Sequence, residues 1–208
     1  MEVVTDMKTG ILGGTFDPVH IGHMAMAEEA RQRLKLDEVL FIPAGRPWLK
    51  VDKHISPARH RVNMVRLAIN GRPYLRLSQM EIERAGPTYT VDTIAQLKGQ
   101  IGTGGELYFI LGWDNLEDLP RWKEPGRLIS LCRLVAVPRA GSPVPDPAAL
   151  EAAVPGLSKR LIMLDKPEID ISASVIRQRV SRGFSIEHLV PEAVAGYITE
   201  QGLYREKR

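Results

Sequence analysis

Two histidines three residues apart, His20 and His23, follow two adjacent glycines, Gly13 and Gly14, in the stretch GGTFDPVHIGH. If the segment opens a helix, that spacing sets both imidazoles on one face. Glycine lets backbone approach a ligand closely and tolerates positive φ. Asp17-Pro18 sets a turn, because proline fixes its own φ and pushes the residue before it out of the helical region. The N–H groups of a helix start attract anions, and imidazoles beside them donate hydrogen bonds or become cationic next to one. The combination suits phosphate. Two other readings use the same residues: a zinc pair, although the further ligands zinc needs are missing nearby, and two histidines that only support the structure. The chain has neither GxxxxGK[ST] nor GxGxxG at this point, so it is not a P-loop or a dinucleotide fingerprint.

A second constellation stands towards the other end, in IDISASVIRQRV. Ser172 and Ser174 are helix N-cap types, and Arg177 lies one turn into the helix they would open, so hydroxyls, free N–H groups and a guanidinium could meet an anion. Taken alone, the same pattern also describes an ordinary capped amphipathic helix.

The elements that must position these residues alternate strand with helix. KTGILGG reads as a strand, IGHMAMAEEARQRLKL as a helix and EVLFIPA as a second strand, followed by a loop through GRPWLKVDKHI that is a candidate lid. Ser56 as N-cap with Pro57 at the first helical position opens a helix to about Asn70. YLRLSQMEIER reads as extended, TVDTIAQLKGQ as helical, and ELYFILG, RLVAVPR and RLIMLD as strands, the first two of the buried parallel type. A loop through RAGSPVPDP and a short helix precede the last of these strands. SASVIRQRVSRG and IEHLVPEAVAGYITEQGL close the chain as two helices. Strands alternating with helices imply an α/β fold, a Rossmann-like parallel sheet with helices on both faces, whose ligands sit at the carboxyl ends of the strands.

Composition sets the limits. The 208 residues fit one domain, 1–208, with the C-terminal helical portion from about 171 packed on it, and can bury a full core. Net charge is only +3, and the basic residues are dispersed, which argues against nucleic acid. Cys132 is the only cysteine, in an apolar setting, so no intrachain disulfide forms and a buried, inert thiol is expected. No run approaches the roughly 18 apolar residues of a membrane helix, and the N-terminus lacks a signal-peptide core, so no membrane association and a cytoplasmic location are expected. A homo-oligomer is compatible with the sequence.

GGTFDPVHIGH resembles the N-terminal signature of the HIGH-type nucleotidyltransferases, and the Ile-Ser-x-[Ser/Thr]-x-x-Arg pattern of that superfamily is matched by Ser172, Ser174 and Arg177. The resemblance implies a nucleotidyltransferase fold, ATP bound by Gly13, Gly14, Thr15, Phe16, His20, His23, Gly112, Asp114, Ser172, Ser174 and Arg177, and catalysis by His20, His23 and Arg177. Three middle segments, GPTYTVDTIAQL, LGWDNLEDLPRWKEP and FIPAGRPWLK, resemble those of bacterial nicotinate mononucleotide adenylyltransferases. That family transfers AMP from ATP to nicotinate mononucleotide. It implies Lys50, Thr88, Tyr89, Thr90 and Trp122 as substrate-binding residues, Mg2+ carried by the ATP phosphates, and no metal ligands on the protein. Trp122 offers an aromatic face to a cationic pyridinium, worth roughly 0.5–2 kcal/mol. A helix starting near Thr90 presents amides to a carboxylate. Asp114, at the end of a buried strand, could accept ribose hydroxyls; it also reads as a helix cap, as Trp122 also reads as surface packing. The chain departs from the family at Pro47-Trp48-Leu49-Lys50, where the family often has Pro-Pro-His-Lys, and at Trp113, where a small residue is common.

Other members of the superfamily serve as alternatives: a nicotinamide mononucleotide or phosphopantetheine adenylyltransferase, or a non-catalytic nucleotide sensor. A cytidylyltransferase would show R-T-x-G-x-S-T, and a class I tRNA synthetase would be longer and carry K-M-S-K-S.

Overall fold

The computed structural model describes residues 7–46, 55–102, 104–168 and 170–205. Six strands form one sheet: β1 (Lys8–Gly14), β2 (Glu38–Pro43), β3 (Leu75–Leu77), β4 (Glu106–Gly112), β5 (Arg133–Val137) and β6 (Leu161–Met163). Their order is β3-β2-β1-β4-β5-β6, and every neighbouring pair is parallel. The chain runs outward from β1 to β3, then returns to the other side of β1 with β4. That reversal is the switch point at which the carboxyl ends of two adjacent strands splay apart and leave a crevice. Gly14 and Gly112 end the two strands that bound it.

The helices divide by face, and the strand sequences show why. On β1, Ile11 and Leu12 enter different buried clusters, and on β4 Phe109 and Ile110 do the same, as expected of strands covered on both sides. One cluster takes Ala27 and Ala30 of α1 (Ile21–Leu34), Met64 and Val65 of α2 (Ala58–Ile69), Ile176 of α8 (Ala173–Ser181) and Val194 and Ile198 of α9 (Glu192–Glu200). The other takes Val91 and Ile94 of α4 (Thr90–Ile101), Leu116 of α5 (Trp113–Asp118), Leu128 and Ile129 of α6 (Pro125–Leu131) and Leu150 of α7 (Pro147–Ala153). A single helical turn, α3 (Met80–Glu83), precedes α4. Apolar side chains of the C-terminal portion, from Ile171 to Tyr204, pack into the same buried cluster as α1 and α2. Among the described residues no helix is long and apolar enough to cross a membrane.

Several boundaries differ from the sequence expectation. Ser56 is not the cap of α2: Pro57 holds that place with ψ 140°, and the Ser56 N–H is committed instead to the Asp17 carboxylate at 2.9 Å. YLRLSQMEIER is extended only over Leu75–Leu77 before the turn of α3. The final helix spans Glu192–Glu200 rather than the whole of 186–203, because Pro191 caps it and disfavours helix in the residue before it. α1 ends at Leu34 with Lys35 in the left-handed conformation. The candidate lid lies, at 47–54, outside the described residues.

Candidate active site

One cavity of about 360 Å3 opens at the switch point, and both sequence constellations line it. From the first come Gly13, Thr15, Phe16, His20 and His23; from the second, Ser172, Ser174 and Arg177. Gly112 and Asp114, at the end of β4 and the start of α5, and Trp122 complete the predicted residues found there.

The loop after β1 is built differently from its expected form. Gly13 and Gly14 belong to the strand and need no positive φ; the left-handed residue is Phe16, at φ 51°. Phe16 tolerates it because its ring is 1% exposed and fixed between Phe41 and His23, with centroids 5.7 and 4.9 Å away. Gly14 does not line the cavity. A Cβ there would stand 3.0 Å from the Phe16 ring, so this glycine makes room for the phenylalanine. Buried Arg61 ties the loop to its neighbours, donating to the carbonyls of Thr15 at 2.9 Å, Ala44 at 2.8 Å and Ser56 at 3.0 Å. The Asp17–Pro18 bond is cis.

His20 is the N-cap of α1, with extended backbone, and is 6% exposed. His23 sits one turn on; its Nδ1 accepts the His20 backbone N–H at 3.2 Å, which leaves the proton of the neutral ring on Nε2. The two rings stack, centroids 3.7 Å apart. Burial, and then the charge of Arg139, lower the His20 pKa from 6.5 to about 4, so the unliganded ring is neutral at physiological pH rather than cationic. Its buried Nδ1 has no hydrogen-bond partner among the described residues.

Across the cavity, the Ser172 hydroxyl caps α8 by accepting from Val175 N–H at 3.3 Å and lies 3.0 Å from the Ser174 hydroxyl. Arg177 reaches over to the first loop and donates to the Asp17 carbonyl at 2.7 Å, a contact between residues 160 apart in the chain. The Asp114 carboxylate is held by Arg139 at 2.5 Å and by Asn115 at 3.1 Å. Gly112 leaves space for it, since a Cβ there would meet Asp114 Oδ1 at 2.4 Å. Sequence reasoning missed Arg139. Its signal was a cation directly after a buried parallel strand, at the sheet end where anions bind.

The residues expected to bind the second substrate are less gathered. Trp122 lines the cavity and packs edge-on to Phe109, centroids 6.0 Å apart, with its buried Nε1 unpartnered among the described residues. Thr88, Tyr89 and Thr90 do not line it. Thr90 begins α4 as expected, with Tyr89 as N-cap beneath the Lys123 ammonium, 4.6 Å from the ring centroid. Thr88 is 5% exposed, its N–H bonded to the Arg46 carbonyl at 3.2 Å and its hydroxyl without a described partner. That bond ties it to the start of the loop that leads to Lys50, which lies outside the described residues. Trp113 packs against the second buried cluster and does not line the cavity. Cys132 is buried, its thiol pushed by burial up to about 12, in keeping with an inert packing role.

The starts of α1 and α8 thus face one cavity at the switch point of a doubly wound parallel sheet. Residues 11–179 match the cytidylyltransferase-like family model. A protein of Dehalococcoides mccartyi named "Probable nicotinate-nucleotide adenylyltransferase" is 57% identical over 98% of this chain and all of its own length. One of the same name from Roseiflexus is 50% identical over 94% of this chain and 97% of its own. Solved structures of Plasmodium falciparum nicotinic acid mononucleotide adenylyltransferase, complexed with APC and with NaAD, share the fold with TM-scores of 0.77 and 0.78 at 20% identity, covering 95% of this chain and 97% of theirs. The chain belongs to the nicotinate-nucleotide adenylyltransferase family.

Proposed function

We propose that the protein transfers AMP from ATP to nicotinate mononucleotide, forming nicotinate adenine dinucleotide and pyrophosphate, a step of NAD biosynthesis, and that the 208 residues act as one catalytic unit. The observation that carries this reading is the convergence of His20, His23, Ser174 and Arg177 with Trp122 on one cavity, from segments far apart in the chain.

An oxygen of the mononucleotide phosphate attacks the α-phosphorus of ATP, and the bond from that phosphorus to the bridging oxygen breaks in line, with pyrophosphate taking the electron pair. The phosphate is already anionic, so the step needs no general base and no covalent enzyme intermediate. The chain's work is positioning and charge stabilisation. Neutral His20 donates one hydrogen bond to the α-phosphate as charge builds there, while His23, Ser174 and Arg177 hold the departing pyrophosphate. Asp114, released from Arg139, accepts ribose hydroxyls, and Trp122 meets the pyridinium face. Thr88 and the amides at the start of α4 receive the nicotinate carboxylate, with Tyr89 and Thr90 beside it, and Lys50 is a further substrate-binding residue.

Among the described residues no three His, Cys, Asp or Glu side chains converge as a metal site. Mg2+ carried by the ATP phosphates would supply charge neutralisation there, with His23, Ser174 and Arg177 holding the phosphates that carry it. The reading places the protein in the cytoplasm, where its single buried thiol stays reduced. Incubation with ATP, Mg2+ and either nicotinate mononucleotide, nicotinamide mononucleotide or phosphopantetheine, with pyrophosphate as readout, tests it. The highest kcat/KM is expected with the nicotinate compound; a higher value with either of the others would reassign the acceptor, and none with any of the three would favour a nucleotide sensor.

A further inference from the structure

We propose that Tyr204, far from the cavity in sequence and not lining it, is a positioning residue for Arg177: its hydroxyl fixes Asp17, whose carbonyl sets the guanidinium over the phosphate site. This rests on the adenylyl-transfer reading above.

Asp17 is 3% exposed, and donors from three separate parts of the chain converge on it. Tyr204 donates its hydroxyl to Oδ1 at 2.6 Å, Ser56 its N–H to Oδ2 at 2.9 Å, and Arg177 its Nη1 to the backbone carbonyl at 2.7 Å. A carboxylate so buried is constrained by whatever satisfies it, because a lost partner is not replaced by water. The Tyr204 backbone is left-handed, at φ 63°, a conformation that a bulky residue keeps only where its surroundings impose it. Its hydroxyl also lies 3.9 Å from Met64 Sδ of the buried cluster. Burial first, then the Asp17 charge, raise the phenol pKa, so the group remains a donor throughout the working pH range. Arg61 pins the other side of the same turn through Thr15 and Ser56. The turn is thus clamped from two sides, and Arg177 rests on the part between them.

The test is pyrophosphate release by the full chain for wild type, Tyr204→Phe, Arg177→Ala and the double variant, with thermal unfolding of each. Tyr204→Phe should lower kcat by about tenfold with KM for nicotinate mononucleotide changed by less than about twofold. In the Arg177→Ala background it should lower kcat no further, although its effect on Tm persists. Independent multiplication of the two kcat losses, or an unchanged kcat for Tyr204→Phe, would overturn the proposal. Asp17→Ala supplies a second route if Tyr204→Phe does not fold, since it removes the carboxylate that Tyr204 and Ser56 both meet while leaving the backbone carbonyl in the chain. It should show the same non-additivity with Arg177→Ala, and multiplication would again overturn the idea. A wild type inactive with ATP and every acceptor would instead refute the underlying reading.

Discussion

The two ends of the cavity are made in different ways. At the phosphate end, His20, Arg177 and the Asp17 turn are fixed by backbone contacts: His23 accepts from His20 N–H, Arg177 donates to Asp17, and Arg61 grips three carbonyls. At the ring end, the Trp122 side chain is held by packing on Phe109 and its Nε1 has no described hydrogen-bond partner; Thr88, which does not line the cavity, is anchored by its N–H to the Arg46 carbonyl while its Oγ1 has no described partner. The first still keeps one buried atom open, His20 Nδ1, which has no described hydrogen-bond partner. At the second the open atom is Trp122 Nε1, on a side chain held by packing alone, and under the adenylyl-transfer proposal this is the end that meets the acceptor's ring.

The sharpest way to break this contrast is His20→Ala. Loss of one donor aimed at developing charge should cost on the order of 10²–10³ in kcat, with KM for ATP little changed. Steady-state kinetics with ATP varied at saturating acceptor would show it, and a loss confined to KM would make His20 a mere binding group.

Next in size is a pH effect peculiar to the phosphate end. His20 is neutral in the folded chain down to about pH 4 but titrates near 6.5 when unfolded. The unfolded chain therefore binds more protons between those values, and stability falls as pH drops through that window. The full contribution, present above about pH 6.5, is on the order of 3 kcal/mol. Urea unfolding of wild type and His20→Gln at pH 7 and pH 5 should show wild type losing more stability than the variant. Equal losses would contradict the neutral, buried imidazole.

Trp122→Ala addresses the ring end. It should raise KM for the pyridine mononucleotide by roughly 2- to 30-fold, the kinetic equivalent of about 0.5–2 kcal/mol, with KM for ATP unaltered. A matching rise for ATP would erase the distinction between the ends. The smallest effect is expected of Thr88→Val. Removing a buried hydroxyl that has no described partner should leave thermal stability within about 1 kcal/mol of wild type, while KM for the nicotinate compound rises. A marked loss of stability would mean that the hydroxyl serves the fold.

The same division governs how much was legible in the sequence. The parallel sheet, its helices and the residues that line the cavity from both helix starts could be read because each rests on local grammar: a strand ending in Gly13-Gly14, a helix start at His20, a serine cap at Ser172. What could not be read was tertiary. Phe16 takes the left-handed conformation expected of the glycines because core packing supports it. The lowered pKa of His20 depends on burial and on Arg139, which no local pattern links to it. Ser56 reads as a helix cap and is instead a donor to Asp17, 39 residues away. Arg61 and Tyr204 sit in unremarkable segments of helix and tail, and their part in the site appears only when the chain is folded.

Direct transfer of AMP to the acceptor phosphate asks the protein to position and stabilise the reactants and to contribute no nucleophile. The stereochemical course at the α-phosphorus, followed with ATP carrying a chiral α-thiophosphate, tests this most directly. A single in-line displacement predicts inversion of configuration in the dinucleotide product. Retention would require two displacements and an enzyme-bound nucleotide, and would contradict the roles given to His20, His23 and Arg177.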